Sequence, residues 1–190
     1  MSKWSVEKTG MDGLWVLTPK VRKDDRGRFC EVYHQPDFAA LGFFWRFLQE
    51  NQSVSKRGVL RGLHFQVTPP QAKLVRVAFG SVIDVAVDLR RESPTFGKWY
   101  SVELSAENAK MVYLPERFAH GFLSLEAGTT TIYHCSEVYH PESDSGIRWN
   151  DETLAIDWTL EDHGIQAPLI SEKDQKLMSF QDFLKSGGFS

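Results

Sequence analysis

Ser81-Val82-Ile83-Asp84-Val85-Ala86-Val87-Asp88-Leu89 is the stretch from which the fold of this 190-residue chain is read. Positions 83, 85, 87 and 89 are apolar, and Asp84, Ala86 and Asp88 occupy the alternate places. Side chains along a strand point to opposite faces with a period of two, so the pattern predicts a β-strand with one apolar and one polar face.

On either side of it lie further short runs rich in β-branched and aromatic residues: Leu74 to Phe79, Trp99 to Leu104, Lys110 to Leu114 and Thr129 to Cys135, separated by Gly, Pro, Asn or Ser. Several short strands at close spacing predict a sandwich or a barrel. Helix signals are confined to the ends, at Asp37 to Leu41 before Gly42 and at Ser179 to Lys185 before Gly187 and Gly188. With no internal repeat, low-complexity stretch or linker, residues 1–190 read as one mostly-β domain with short peripheral helices.

Composition narrows the function. Lys and Arg total 22 against 25 Asp and Glu, a net charge of −3, so no bulk positive field exists to hold a nucleic acid or an anionic membrane, and any phosphate must be met by a few placed cations. Cys30 and Cys135 are too few for a disulfide framework and lack zinc-site spacing, which fits a reducing cytoplasm. The opening MSKWSVEKTG lacks the apolar core of a secretory signal, and no run is long enough to span a bilayer.

Three segments could carry chemistry. Leu60-Arg61-Gly62-Leu63-His64-Phe65-Gln66, followed by Gln71 to Arg76 with Lys73, sets an imidazole and several cations on two consecutive strand-like segments. Such an imidazole can take a weakly acidic proton, and a nearby ammonium can stabilise the charge left behind, although a lone strand histidine is more often structural. Pro115 to Phe122 sets His120 between aromatic residues and beside Gly121, in what also reads as a packed turn between two strands. In Thr129 to Cys135, alternation puts Tyr133 on the face shared by Thr131 and Cys135, where it either returns a proton into a cavity or simply packs. Metal catalysis is disfavoured: the residue two beyond His64 is Gln66, and the six histidines form no pair of the usual ligand spacing.

Taken as an ordered set, these segments resemble the dTDP-4-dehydrorhamnose 3,5-epimerase family. The resemblance runs over nearly the whole chain through Asp25-Arg26-Gly27-Arg28-Phe29-Cys30-Glu31, Gln49-Glu50-Asn51, Leu60 to Gln66, Lys73-Leu74-Val75-Arg76 and Asp84 to Asp88. It continues through Ser93 to Gly97, Phe118 to Phe122, Trp149-Asn150-Asp151 and Ser171-Glu172-Lys173-Asp174. It implies a cupin-type jelly-roll barrel, no cofactor, a nucleotide-linked 4-keto-6-deoxyhexose as substrate, and a homodimer in which an N-terminal strand reaches toward the partner's site.

Carried over position by position, the resemblance makes His64 the general base, Asp174 the carboxylate that orients it, Lys73 the enolate-stabilising cation and Tyr133 the acid. His120 would line the sugar pocket. Arg26, Glu31, Gln49, Asn51, Arg61 and Lys173 correspond to nucleotide and diphosphate contacts, and Tyr139 to the aromatic that stacks on the base. Asp144 stands where the family usually has Glu, one methylene shorter.

The chemistry asks for these types. A C4 ketone acidifies the hydrogens on C3 and C5, a cation must hold the enolate oxygen, and inversion needs an acid across the ring from the base. Two points stay open on residues alone. Strict alternation sends Arg61 and His64 to opposite faces unless Gly62 allows a bulge or Arg61 reaches the ligand from the rim, and Asp84 could orient His64 as readily as Asp174. Rival readings are a mono-epimerase acting at C3 or C5 alone, a binding-only sugar-nucleotide cupin and a metal-dependent cupin enzyme.

Overall fold

The computed structural model describes residues 3–189. The chain opens with β1 (Trp4–Lys8), β2 (Trp15–Pro19), the hairpin β3 (Arg22–Asp24) and β4 (Gly27–Phe29), and helix α1 (Gln35–Ala40). Then come β5 (Gln49–Ser55), β6 (Leu60–Gln66), β7 (Lys73–Phe79), β8 (Ser81–Asp88), β9 (Trp99–Ser105), β10 (Met111–Leu114), β11 (Phe118–Ser124) and β12 (Thr129–Cys135). A 3-10 turn precedes β13 (Asp144–Gly146), and α2 (Glu172–Gln175) and α3 (Phe180–Lys185) follow.

Two antiparallel sheets face each other as a jelly-roll barrel, one ordered β1-β2-β10-β7-β12-β5 and the other β13-β6-β11-β8-β9. The alternation in β8 explains the layering. Ile83, Val85 and Val87, with Leu89 just beyond, pack outward with Leu60, Leu63, Trp158 and Phe183, so this sheet is roofed by the C-terminal segment. Val82 and Ala86 point inward and meet Val75, Val77, Val112 and Phe122 between the sheets. Each such buried aliphatic side chain contributes about 1.5–3 kcal/mol of transfer free energy.

The polar face expected of this strand is therefore not a wet one. Asp84 and Asp88 are 1 % and 0 % exposed, because in a closed barrel the second face looks at the opposing sheet. Asp88 is saturated by Arg90, Ser93 and Thr95, and Asp84 by His120 on one oxygen only.

The four predicted flanking strands lie within a residue of their expected bounds, as do the two end helices apart from the start of α1. The Pro115–Phe122 segment is a turn only to Arg117; from Phe118 it is the buried strand β11, with Ala119 and Leu123 in the outer core and Phe118 and Phe122 in the inner one. The N-terminal strands β1 to β5 lack a clear periodic signature, and pairing with stronger neighbours supplies what propensity does not. Among the described residues no helix is long and apolar enough to cross a membrane.

Candidate active site

Strand β6 carries the first wall of the site, and an irregularity in it decides where its side chains go. His64 pairs with His120 and Arg61 with Phe122, so Gly121 alone on β11 faces both Gly62 and Leu63 on β6. This extra residue is a β-bulge, and it brings Arg61 and His64 onto one face in place of opposite faces. Gly62 is required there. Its φ is +131°, and a Cβ would stand 2.5 Å from the Gly121 Cα.

The bulge also frees a backbone donor. Gly62 N–H, unpaired in the ladder, donates to Asp174 Oδ2 at 3.2 Å, while Asp174 Oδ1 lies 2.8 Å from His64 Nε2. Asp174 sits on α2, where Ser171 caps the turn by accepting from the Asp174 N–H. Burial alone would raise the pKa of this carboxyl. The hydrogen bond and charge of His64, with the Gly62 and Ser171 contacts, more than offset it and leave Asp174 below the usual carboxylate range. Asp174, and not Asp84, therefore partners His64.

The opposite sheet supplies the second wall. Tyr133 on β12 is in register with Asn51 on β5 and Val75 on β7, and Cys135 with Gln49 and Lys73, so all of these face the interior. Lys73 Nζ stands 6.0 Å from the Tyr133 ring centroid and, among the described residues, makes no ion pair. Burial pushes its ammonium pKa below the ordinary lysine value, against the pull of Cys135, Asp144 and Asp84. Burial likewise raises the Tyr133 phenol, helped by Cys135 and Asp144 and opposed by Arg61, so the tyrosine stays protonated at neutral pH.

His64, Lys73 and Tyr133 line one cavity of about 200 Å³, together with Gln49, Asn51, Gln66, Gln71, Tyr139, Asp144 and Lys173. At its mouth Asp144 Oδ2 accepts from Tyr139 Oη at 2.9 Å and pairs with Lys173 Nζ. The Tyr139 loop is tied down by its own N–H to Gln49 Oε1 at 2.9 Å, by His140 N–H to Gln66 Oε1 at 2.9 Å and by Gln66 Nε2 to Val138 O at 3.1 Å. Gln66 and Gln71 belong to the lining, a role that the sequence reading does not give them; the signal for Gln66 is its place two residues from His64 on the same face.

Other expected residues stand apart. Arg61 is exposed and donates from Nε to Ser55 Oγ at 3.2 Å, bridging the seam between β6 and β5, close enough to act electrostatically on Tyr133. His120 is buried, 2.8 Å from Asp84 Oδ2, and is absent from the cavity lining. Arg26 pairs with Asp24 at the tip of the β3–β4 hairpin and Glu31 with Lys3, both away from the cavity. Among the described residues no three His, Cys, Asp or Glu side chains converge as a metal site would require.

A family model described as dTDP-4-dehydrorhamnose 3,5-epimerase matches residues 8–182. The dTDP-4-dehydrorhamnose 3,5-epimerase of Methanothermobacter thermautotrophicus is 49 % identical over 175 residues, covering 92 % of this chain and 94 % of its own. That of Pseudomonas aeruginosa is 50 % identical over 168 residues, covering 88 % and 91 %. A solved 3,5-epimerase from Legionella pneumophila Philadelphia 1, in complex with dTDP-4-keto-L-rhamnose, superposes with a TM-score of 0.88 at 42 % identity over 94 % of this chain and 93 % of that one.

Proposed function

The chain belongs to the dTDP-4-dehydrorhamnose 3,5-epimerase family, and from that premise we infer how its residues work. It is an isomerase that inverts C3 and C5 of dTDP-4-dehydro-6-deoxy-D-glucose, giving dTDP-4-dehydro-L-rhamnose, by proton removal and return beside the C4 ketone. The observation that carries the assignment of roles is that His64 and, from the facing sheet, Lys73 and Tyr133 line a single cavity.

His64 takes the proton from carbon. With Nε2–H given to the Asp174 carboxylate, the neutral imidazole keeps its lone pair on Nδ1, and Asp174 also stabilises the imidazolium that forms. The electrons of the broken C–H bond move onto the C4 oxygen, where Lys73 offers an ammonium with no ion pair to give up; such a preorganised donor is worth about 3–4 kcal/mol. Tyr133, on the opposite sheet, delivers its phenolic proton to the other face of the carbon. Solvent then reprotonates the phenolate and takes the proton from His64.

Gln49, Asn51, Arg61, Tyr139, Asp144 and Lys173 serve the nucleotide and diphosphate at the mouth, and His120 the sugar from behind the lining. About 200 Å³ is smaller than the roughly 300–1,000 Å³ of a complete ligand pocket. A homodimer, in which the N-terminal strands bring Arg26 and Glu31 to the partner's cavity, would complete it. The enzyme works as one domain in the cytoplasm. A mono-epimerase is not favoured, since relatives at 49 % and 50 % identity are 3,5-epimerases. A binding-only protein has no need of base, cation and acid together.

Proton NMR of dTDP-4-dehydro-6-deoxy-D-glucose with this protein in D2O, containing a chelator and a 4-keto reductase as trap, tests the reading. Deuterium at both C3 and C5 with trapped dTDP-L-rhamnose is expected. Deuterium at one carbon makes it a mono-epimerase, and a loss restored by one divalent cation overturns the cofactor-free mechanism.

A further inference from the structure

Asp84 is the buried acid that the reaction above leaves without a task. It is 1 % exposed, one strand removed from β6, and a diagonal neighbour of His120 on the inner face of its sheet, with Asp84 opposite Phe122 and Ala86 opposite His120. Its Oδ2 takes the His120 Nε2 at 2.8 Å, and its Oδ1 has no hydrogen-bond partner. A buried carboxylate oxygen left unpaired is costly and calls for a compensating cation or dipole nearby.

The cation on the interior face of the opposing sheet is Lys73, in register with Cys135, and the Asp84 charge acts on it. From β12 this ammonium sees Tyr133 and Cys135, from β6 His64, from β13 Asp144, from α2 Lys173 and from β8 Asp84. Burial pushes the Cys135 thiol up, so it carries no charge at neutral pH. The Asp144 charge also raises Lys73, and more than Asp84 does, but it is held in an ion pair with Lys173 and a hydrogen bond from the Tyr139 hydroxyl. Of the acids around Lys73, only Asp84 has an oxygen free and no lysine or arginine within ion-pair distance among the described residues.

We propose that Asp84 is a positioning residue of this site, whose carboxylate supplies the negative charge facing Lys73 and the acceptor that fixes the His120 ring. The proposal rests on the role given to Lys73 above. Without that charge a cation buried against Tyr133 releases its proton more readily, and a neutral amine stabilises an enolate poorly. The fixed acceptor also sets the tautomer of His120, with the proton on Nε2 and Nδ1 left as an acceptor.

Asp84→Asn keeps the shape and an acceptor for His120 but removes the charge. In protein labelled with 13C at the lysine ε carbon, the Lys73 resonance, identified by its loss in Lys73→Arg, should titrate about one pH unit lower or more in Asp84→Asn than in wild type, a tenfold change in proton affinity. The kcat at pH 7 should fall roughly tenfold to a hundredfold, with KM within about twofold. An unmoved Lys73 titration overturns the proposal whatever kcat does. The NMR arm does not depend on turnover, so a wild type that fails to exchange substrate protons sinks the functional reading separately. If Asp84→Asn does not fold, His120→Gln decides: the charge stays, so the Lys73 titration must hold or rise, and a fall overturns the proposal.

Discussion

Two histidine–aspartate pairs lie on adjoining strands of one sheet, both closed through Nε2 at 2.8 Å, yet they are built for different work. In the first, the His64 side chain is 30 % exposed to the cavity while Asp174 is 5 % exposed, and the carboxylate comes from a one-turn helix 110 residues further along the chain. In the second, His120 and Asp84 are 8 % and 1 % exposed, and both belong to neighbouring strands. The difference teaches what makes such a pair a base: an open side toward substrate and a carboxylate held by donors of its own. Asp174 has such a donor in Gly62 N–H, and its own backbone N–H is anchored on Ser171 Oγ, whereas Asp84 leaves one oxygen bare.

The comparison breaks most sharply at the histidines. His64→Asn should lower both solvent deuterium uptake and epimerisation by about 10³- to 10⁴-fold while circular dichroism and Tm stay near wild type. His120→Asn should leave measurable exchange. If the two variants were equally inactive, the distinction between an open and a walled-in pair would fail.

Lys73 faces both pairs, and its removal should separate catalysis from stability. Lys73→Met removes the buried cation facing Asp84, so kcat should drop about 10²- to 10³-fold while Tm holds within roughly 2–4 °C, because the relieved desolvation of the ammonium offsets the charge left uncompensated on Asp84. The pH dependence has a definite sign. The folded pKa lies below the ordinary 10.5, so the unfolded chain binds more protons between those values, and wild-type stability relative to Lys73→Met increases with pH through that window. A Tm that falls by more than that on substitution would mean that Lys73 holds the fold together.

How far all this is written in the sequence depends on range. The two-residue period of Ser81 to Leu89 and the runs around it predict a sandwich or a barrel, because strand pattern is a local property, and the family resemblance selects the barrel. The same rule places Tyr133 correctly with Thr131 and Cys135, since β12 is regular. It fails at Arg61 and His64, where a single bulge reverses the parity; Gly62 marked the spot without saying which way the strand would bend. The partner of His64 was out of reach for another reason. Asp84 and Asp174 are equally good carboxylates, and only the path of the C-terminal segment across the outer face of the sheet brings Asp174 to the Gly62 N–H.

Asp174→Asn weakens the first pair without removing the base. Its imidazole loses orientation and charge support, and kcat should fall by about 10²-fold. The pH effect has the same sign as at Lys73 but falls in an acid window. The folded pKa of Asp174 lies below its ordinary 3.8, so the carboxylate stabilises the fold above that value and the contribution is lost as pH falls through the depressed one. The stability gap between wild type and Asp174→Asn, measured by urea unfolding, should be full at neutral pH and close below 3.8. A gap that persists in acid would assign the loss to packing.

The smallest expected effect lies at the mouth, where the first pair meets the nucleotide side. Asp144 carries one methylene less than the family's usual glutamate, yet it reaches both Tyr139 and Lys173, and Lys173 directly precedes Asp174 on α2. The Lys173 side chain is 59 % exposed, so its ion pair is worth no more than about 1 kcal/mol, or roughly fivefold in binding. Asp144→Glu would push the carboxylate outward, loosen one of the two contacts and change KM for the nucleotide sugar by at most about fivefold, with kcat within about twofold. That outcome keeps the base independent of the mouth. A kcat loss above about tenfold would mean that displacing Lys173 shifts α2 and turns Asp174 away from His64, joining in one unit the open pair and the nucleotide contacts beside it.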